Sequence, residues 1–432
     1  MDCDYSELAS IISQKAEEKT EELLQLLSRL IAFPTISPPA RNTACIQDYM
    51  DSYLKELGFQ TEKWELYPGD WNVAGILPGK SSNTYNSLII NGHVDVAETG
   101  DISRWDNNPF TVNQKGPYLY GRGAADMKGG IAASLMAIKL LKELAIPLNG
   151  NLQFQSVTGE EAGETGTLSC IKRGYTADFA IVADTSDMHI QGQGGVITGW
   201  ITIQGKETFH DGLRSRMNTA GGGIFGASAI EKMMKIIESL QELERHWAVT
   251  KSYAGFPPGS NTINPAVIEG GRHAAFIADS CSLWITIHFY PDENHEKVTM
   301  DIENHVRRVA ASDPWLSENM PVFKWGGKSM LEERGEIFPS LELDLNHKGT
   351  KTLISSYNEQ LAEKPRTGMS SSVNDAGWFG YKGIPSVIFG PGKLEDAHAV
   401  NEKIEIRQLI DFMKVMALFI SKWCNTKKEG KE

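Results

Sequence analysis

Ser87-Leu-Ile-Ile-Asn-Gly-His-Val-Asp95 is a short apolar run that ends in metal-ligand types of side chain. Its length and composition suit a strand buried on both faces, as in a parallel sheet. Two further runs share the design: Leu152 to Thr158 leads into Glu160 and Glu161, and Phe179 to Ala183 leads into Asp184. Ser386 to Phe389 is a fourth strand of the same kind. Between the first two lies Gly121-Arg-Gly-Ala-Ala-Asp-Met-Lys-Gly-Gly130, and an alanine-rich and leucine-rich helix is expected over Gly129 to Leu144. The order strand, helix, strand predicts an α/β fold, a mostly parallel sheet sandwiched by helices.

On the N-terminal side, residues 11 to 32 place Ile12, Leu23, Leu27, Leu30 and Ile31 at helical spacing, and Pro34 closes the segment. Residues 44 to 57 read as a second helix, ended by Gly58. The pattern changes from about Gly195. Val196 to Gln204 alternates like a half-exposed strand, and Gly221 to Glu244 follows as an amphipathic helix with Ile224, Ala227, Ile230, Met234 and Ile237 on one side. Thr262 to Gly270 and Ser282 to Tyr290 are two strands, His295 to Ala311 a helix and Pro321 to Trp325 a last strand. This is the order of an α+β split βαβ, or ferredoxin-like, domain. Residues 195–328 are therefore expected to be inserted into a first domain made of 1–194 and 329–432.

The chain has 432 residues, enough for two domains, and 41% hydrophobic with 22% charged residues is the balance of a globular protein. A formal charge of −13 argues against nucleic acid or an anionic membrane as partner. No apolar run approaches the roughly 18 residues of a membrane span, and Met1 to Glu22 has no leader pattern, so a cytoplasmic location is expected. The five cysteines are scattered, without a C-x-x-C pair, and read as reduced thiols.

His93, Asp126 and Glu161 are 33 and 35 residues apart, so no local ligand spacing joins them and only a folded sheet could. Imidazole and carboxylate donors without cysteine suit zinc, or cobalt or manganese, with positions left for water. Two such ions about 3.5 to 4 Å apart need one shared carboxylate and can activate water while polarising a carbonyl. Strand alternation puts His93 and Asp95 on one side, where the carboxylate could orient the imidazole or its neighbours. Adjacent Glu160 and Glu161 point apart, so one can bind metal while the other handles a proton. Each element also has a plainer reading, a core-edge histidine or a solvated acidic loop. Gly121 to Asp126 is not a dinucleotide fingerprint, because Asp126 stands where its third glycine belongs. No P-loop or Gly-x-Ser-x-Gly elbow occurs.

From Ile31-Ala-Phe-Pro-Thr-Ile-Ser37 to Ala397-His-Ala-Val-Asn-Glu402 the chain resembles the dinuclear zinc amidohydrolases and peptidases that include acetylornithine deacetylase, succinyl-diaminopimelate desuccinylase, aminoacylase and carboxypeptidase G. Trp105 to Phe110 followed by Leu119 to Gly130 is especially similar to the deacetylase and desuccinylase branch. The resemblance implies two zinc ions per subunit, with Asp126 bridging, His93 and Asp184 completing one site, and Glu161 and His398 the other. It makes Glu160 the general base and proton donor, and Asp95 the partner of His93. It further implies a cis peptide at Asp126-Met127, an oxyanion-stabilising His210 in Phe209-His-Asp211, a substrate contact from Asn264 in Thr262-Ile-Asn-Pro265, and a homodimer through residues 195–328 acting as lid and dimerisation domain.

The departures concern substrate. Ala183-Asp-Thr185 stands where relatives usually have Glu-Pro. His288 and Gly377 fall where many carry arginine; Arg214, Arg216, Arg272 and Arg366 are candidate replacements. The expected reaction is hydrolysis of a small N-acylated amino acid, with acetylornithine deacetylase first and a desuccinylase, aminoacylase, dipeptidase or formyl-amine deformylase as alternatives. A catalytically degenerate ligand-binding protein is the rival of a different class, and the complete ligand set speaks against it.

Overall fold

The computed structural model describes residues 5–206, 226–327 and 329–428. The chain divides into two compact units, Met1–Gln193 with Leu341–Glu432, and Gly194–Ser340. The first unit opens with helices α1 (Tyr5–Glu18), α2 (Thr20–Ile31) and α3 (Ala44–Leu57) and strands β1 (Gln60–Tyr67) and β2 (Asp70–Leu77). It continues through β3 (Leu88–His93), β4 (Asn113–Lys115), β5 (Tyr118–Tyr120), α4 (Lys128–Glu143), β6 (Leu152–Val157), α5 (Gly166–Lys172), β7 (Phe179–Val182) and β8 (Ile190–Gln193). The second unit supplies β9 (Gly195–Gln204), α6 (Ala229–Thr250), β10 (Thr262–Gly270), β11 (Ser280–Phe289), α7 (His295–Ala311), β12 (Val322–Trp325) and β13 (Ile337–Phe338). The chain then adds α8 (Lys348–Leu361), β14 (Thr367–Ser370), α9 (Ala376–Tyr381), β15 (Ser386–Ile388), β16 (Lys403–Glu405) and α10 (Ile406–Cys424) to the first unit.

The large sheet has the order β1-β2-β6-β3-β7-β15-β8-β14. Its centre, β6, β3, β7 and β15, is parallel, and every residue of β3 and β6 is buried, the polar Gln153, Gln155 and Ser156 of β6 by way of hydrogen bonds to Thr176, Asn91 and Gln47. Helices α4 and α10 pack on β3, while α5 packs on β6 and α9 on β7 and β15. Register sets the site: His93 lies opposite Val157, and Asn91 opposite Val182, so the chain leaves all three strands at one edge. A small sheet of β16, β5 and β4 pairs Leu119 with Ile404 and so joins the segments that carry Asp126 and His398. The single helix expected over residues 11 to 32 is two helices. Lys19 leaves the helical track at φ −94°, ψ 6°, and Thr20 Oγ1 donates back to the Glu17 carbonyl at 2.9 Å.

In the second unit the order β10-β11-β9-β12 is fully antiparallel, the split βαβ arrangement. Leu283, Ile285, Ile287 and Phe289 all face its core, as their alternation predicts. Two expectations need correction. The return to the first unit falls after Ser340 rather than 328, because Ile337 and Phe338 add a short strand beside β9. Helix α6 buries Ala229, Met233, Ile236, Leu240, Leu243 and Trp247, whereas Ile230 and Met234 are exposed. Apolar residues occupy both faces of its sequence, and the wider stripe, ending in Trp247, wins the core. No helix among the described residues is long and apolar enough to cross a membrane, and the four described cysteines are free.

The corrected face is testable. Ile236→Ala should lower unfolding free energy by about 2–5 kcal/mol, and Met234→Ala should change it by no more than about 0.5 kcal/mol. Urea titration followed by circular dichroism measures both, and the reverse ranking would restore the other face.

Candidate metal centre

The ligand-type residues leave the first unit's sheet, or loops beside it, at the edge that the register defines. His93 ends β3, Asp126 lies in the turn between β5 and α4, Glu160 and Glu161 form a single helical turn after β6, and Asp184 is two residues past β7. His398 sits between β15 and β16 with φ 58°. Helix α4 approaches the end of β7 closely because residue 130 is glycine: a Cβ there would overlap the Ala183 carbonyl oxygen. The Asp126-Met127 peptide is cis.

Asp126 stands between two imidazoles. Its Oδ1 is 3.2 Å from His93 Nε2 and its Oδ2 is 3.2 Å from His398 Nε2, which in turn is 2.9 Å from Glu161 Oε2. Glu160 Oε2 is 3.9 Å from His93 Nε2. His93, Asp126 and Glu161 each offer a ligand atom within 4.8 Å of the others. Asp184 lies outside that tight trio, and its two oxygens accept from Asn374 Nδ2 at 2.9 Å and from the Thr185 amide at 2.6 Å.

Whether a cation fits is decided by two observations. Glu161 Oε1 is buried and, among the described residues, accepts no hydrogen bond, and His93 Nε2, equally buried, meets only the Asp126 carboxylate at 3.2 Å without hydrogen-bond alignment, a state that folded proteins rarely tolerate. The carboxylates also strain against one another: burial, with Asp126 adding to it, pushes Glu161 up to about 7 and Asp184 up to about 6. Glu160 is held well above the carboxylate range, first by burial, with His93 opposing and Glu161 and Asp184 reinforcing. Asp126 alone falls below its ordinary value, because its burial is outweighed by the His398 and His93 imidazoles on either side. His398 rises to about 11, held protonated by Asp126 and then Glu161. Divalent cations among these groups would replace the protons and meet the orphaned donors.

Asp95 meets His93 through its backbone and the neighbouring acid pair through its carboxylate. Its backbone oxygen, not its carboxylate, meets His93 Nδ1 at 3.0 Å; the nearest carboxylate oxygen is 3.7 Å away. The carboxylate instead accepts the Gly159 amide at 2.9 Å and the Glu161 amide at 3.1 Å, so it shapes the turn of the acid pair. The reason is register: β3 and β6 are neighbours, and Asp95 continues along the gap that opens past their ends. His210 falls outside the described residues. Asn264 is exposed on β10, opposite Thr286.

Three positioning residues escaped the sequence reading. Glu402 is fully buried and accepts the amides of Gly123, Ala125 and Asp126 at 2.8–3.0 Å. It pairs at 2.7 Å with Arg122, which also donates to the His398 carbonyl at 3.1 Å. This one ion pair thus holds the loops of Asp126 and His398 together. Asn374 is the third, through Asp184. Both Arg122 and Glu402 stand inside quoted motifs, but residue type alone does not tell a ligand from its support.

Glu402→Gln keeps the shape and removes the charge facing Arg122. Metal affinity, read by competition with a chelating dye, should fall about 10- to 100-fold. Unchanged affinity would remove Glu402 from the site's support.

Residues 89–422 match the family described as peptidase family M20/M25/M40. The chain is 60% identical over 418 residues to the N-formyl-4-amino-5-aminomethyl-2-methylpyrimidine deformylase of Bacillus subtilis (strain 168), covering 97% of this chain and 98% of that one. It is 55% identical over 414 residues to the protein of the same name from Halalkalibacterium halodurans, covering 95% and 96%. Among solved structures, a dinuclear metal binding peptidase of the M20 family from Bacillus subtilis shares the fold, with a TM-score of 0.65 at 15% identity over 95% of this chain and 99% of that one. The fold of two units, the cluster at the strand ends and these likenesses agree: the chain is a hydrolase belonging to peptidase family M20/M25/M40.

Proposed function

We propose that this enzyme hydrolyses the formyl amide of N-formyl-4-amino-5-aminomethyl-2-methylpyrimidine or a close analogue, giving formate and the free aminomethyl group. The observation that carries the reading is the 60% identity to the Bacillus subtilis deformylase across 97% of the chain. Acetylornithine deacetylase, first among the sequence expectations, is less well supported than the formyl-amine alternative. The arginine departures agree with this preference. His288, on β11, and Gly377, on α9, bring no guanidinium, and an aminopyrimidine has no carboxylate to meet one.

Bound metal ions would lower the pKa of water and polarise the formyl carbonyl. His93, Asp126, Glu161, Asp184 and His398 would hold them, and zinc, with cobalt or manganese as substitutes, suits that donor set. Glu160 removes a proton from the attacking water as its oxygen joins the formyl carbon. It then delivers that proton to nitrogen as the carbon–nitrogen bond breaks. A carboxyl raised by burial is suited to both transfers. In this reading His210 stabilises the oxyanion and Asn264 contacts the substrate carbonyl. The enzyme works as a homodimer through the inserted unit, a reading supported by its edge strand β10, where Val267 is 37% and Ile268 51% exposed.

Formate release from the formylated pyrimidine should exceed turnover of N-acetylornithine by about 100-fold or more in kcat/KM; the opposite preference would return the enzyme to the deacetylases. Glu160→Gln should lower kcat by about 100-fold or more while metal content, read by elemental analysis, stays at the parental level. Light scattering should give twice the 47.7 kDa chain mass, and a monomer would end the dimer reading.

A further inference from the structure

We infer that Arg41 is a positioning residue for the reaction, because its guanidinium fixes the far end of the turn that presents Glu160 and Glu161. This rests on the reading in which Glu160 carries the proton. The turn is held at both ends. At its entry the Asp95 carboxylate accepts the Gly159 and Glu161 amides. At its exit the Gly163 amide donates to the Glu160 carbonyl at 2.9 Å, and the Glu164 amide donates to the Gly159 carbonyl at 2.7 Å. Glu164 folds back so closely that residue 159 has to be glycine: its φ is 90°, and a Cβ there would lie 2.5 Å from Glu164 Cβ. The position of the Glu164 side chain is therefore passed directly to the backbone of the acid pair.

That side chain is completely buried and is gripped by a fork. Arg41 Nη1 is 3.0 Å from Glu164 Oε2, and Nη2 is 2.8 Å from Oε1. The fork is itself immobilised. Nη1 also reaches Asp70 Oδ2 at 2.9 Å, the Arg41 amide donates to the same oxygen at 2.9 Å, and the guanidinium lies 4.5 Å from the centroid of Tyr67. Asp70, buried like Glu164, takes the Asn42 amide on its other oxygen at 3.0 Å. A planar guanidinium held between two carboxylates specifies distance and direction together, which an ammonium at the same place does not. If the trio merely anchored the loop before α3, its loss would reduce the folded fraction and leave the kinetics of the folded enzyme alone.

Arg41→Lys, which keeps the charge and loses the fork, and Arg41→Ala separate these roles in the full-length, metal-loaded enzyme. With formylated pyrimidine as substrate, the Lys variant should lose about 10-fold or more in kcat, since misplacement by a fraction of an ångström is costly, while KM stays within about 2-fold and metal content is parental. Methylguanidinium added to the Ala variant should restore part of its kcat and leave the parent unaffected. Hydrogen exchange of a peptide covering residues 157–166 should be faster in the Lys variant, a readout that needs no substrate. Parental kcat and parental exchange in the Lys variant would overturn the assignment, and so would a kcat loss matched by equal loss of folded protein or of metal. If the parent itself releases no formate, the proposed function fails, and the exchange measurement still decides whether Arg41 holds the turn.

Discussion

Gathering Asp126, Glu160, Glu161 and Asp184 where water is scarce is the constraint from which the rest of the site follows. Like charges that close raise one another's protonation, and burial adds to the effect. Among the described residues the protein answers with backbone amides and two imidazoles rather than with lysine or arginine paired to these carboxylates. Glu402, Asp95 and Asn374 fix the loops from behind, so the repulsion is left for cations to relieve at the front. A place for metal ions is thus written into the electrostatics of the fold rather than added to a neutral pocket.

The parallel sheet was legible because fully buried strands leave a strong apolar signature. Leu88 to Asn91, Leu152 to Val157 and Phe179 to Val182 are read directly from residue type. His93, Glu161 and Asp184 followed from their place past those strands, and His398 only from family resemblance, because its loop has no periodic pattern. Helix α6 shows where periodicity fails: Ile230 and Met234 keep helical spacing with one another as well as Met233 and Ile236 do, and only tertiary packing chooses. Glu402 and Arg41 were illegible for a different reason. They act on main-chain amides or on another charged side chain brought near by folding, and nothing in local sequence marks such partners.

Substrate identity lies in a third category. The chemistry at the strand ends is common to amide hydrolysis in general, and it is indifferent to what the acyl carbon or the amine carries. Likeness over the whole chain, together with His288 and Gly377, moves the reading from acylated amino acids to a formylated heterocyclic amine. Asn264, exposed on β10 of the inserted unit, and His210, which lies outside the described residues, are the further candidates for contacting substrate.

Asp95 binds two loops with one residue, its carbonyl facing His93 and its carboxylate capping the turn that follows Val157. Beyond the ends of β3 and β6 it takes the role that a further rung of the ladder would have played. The two segments are therefore coupled in length: one residue gained or lost between His93 and Asp95, or between Val157 and Glu161, would slide the carboxylate past its amides and turn the neighbouring side chains to the wrong face. The two loops have to keep step.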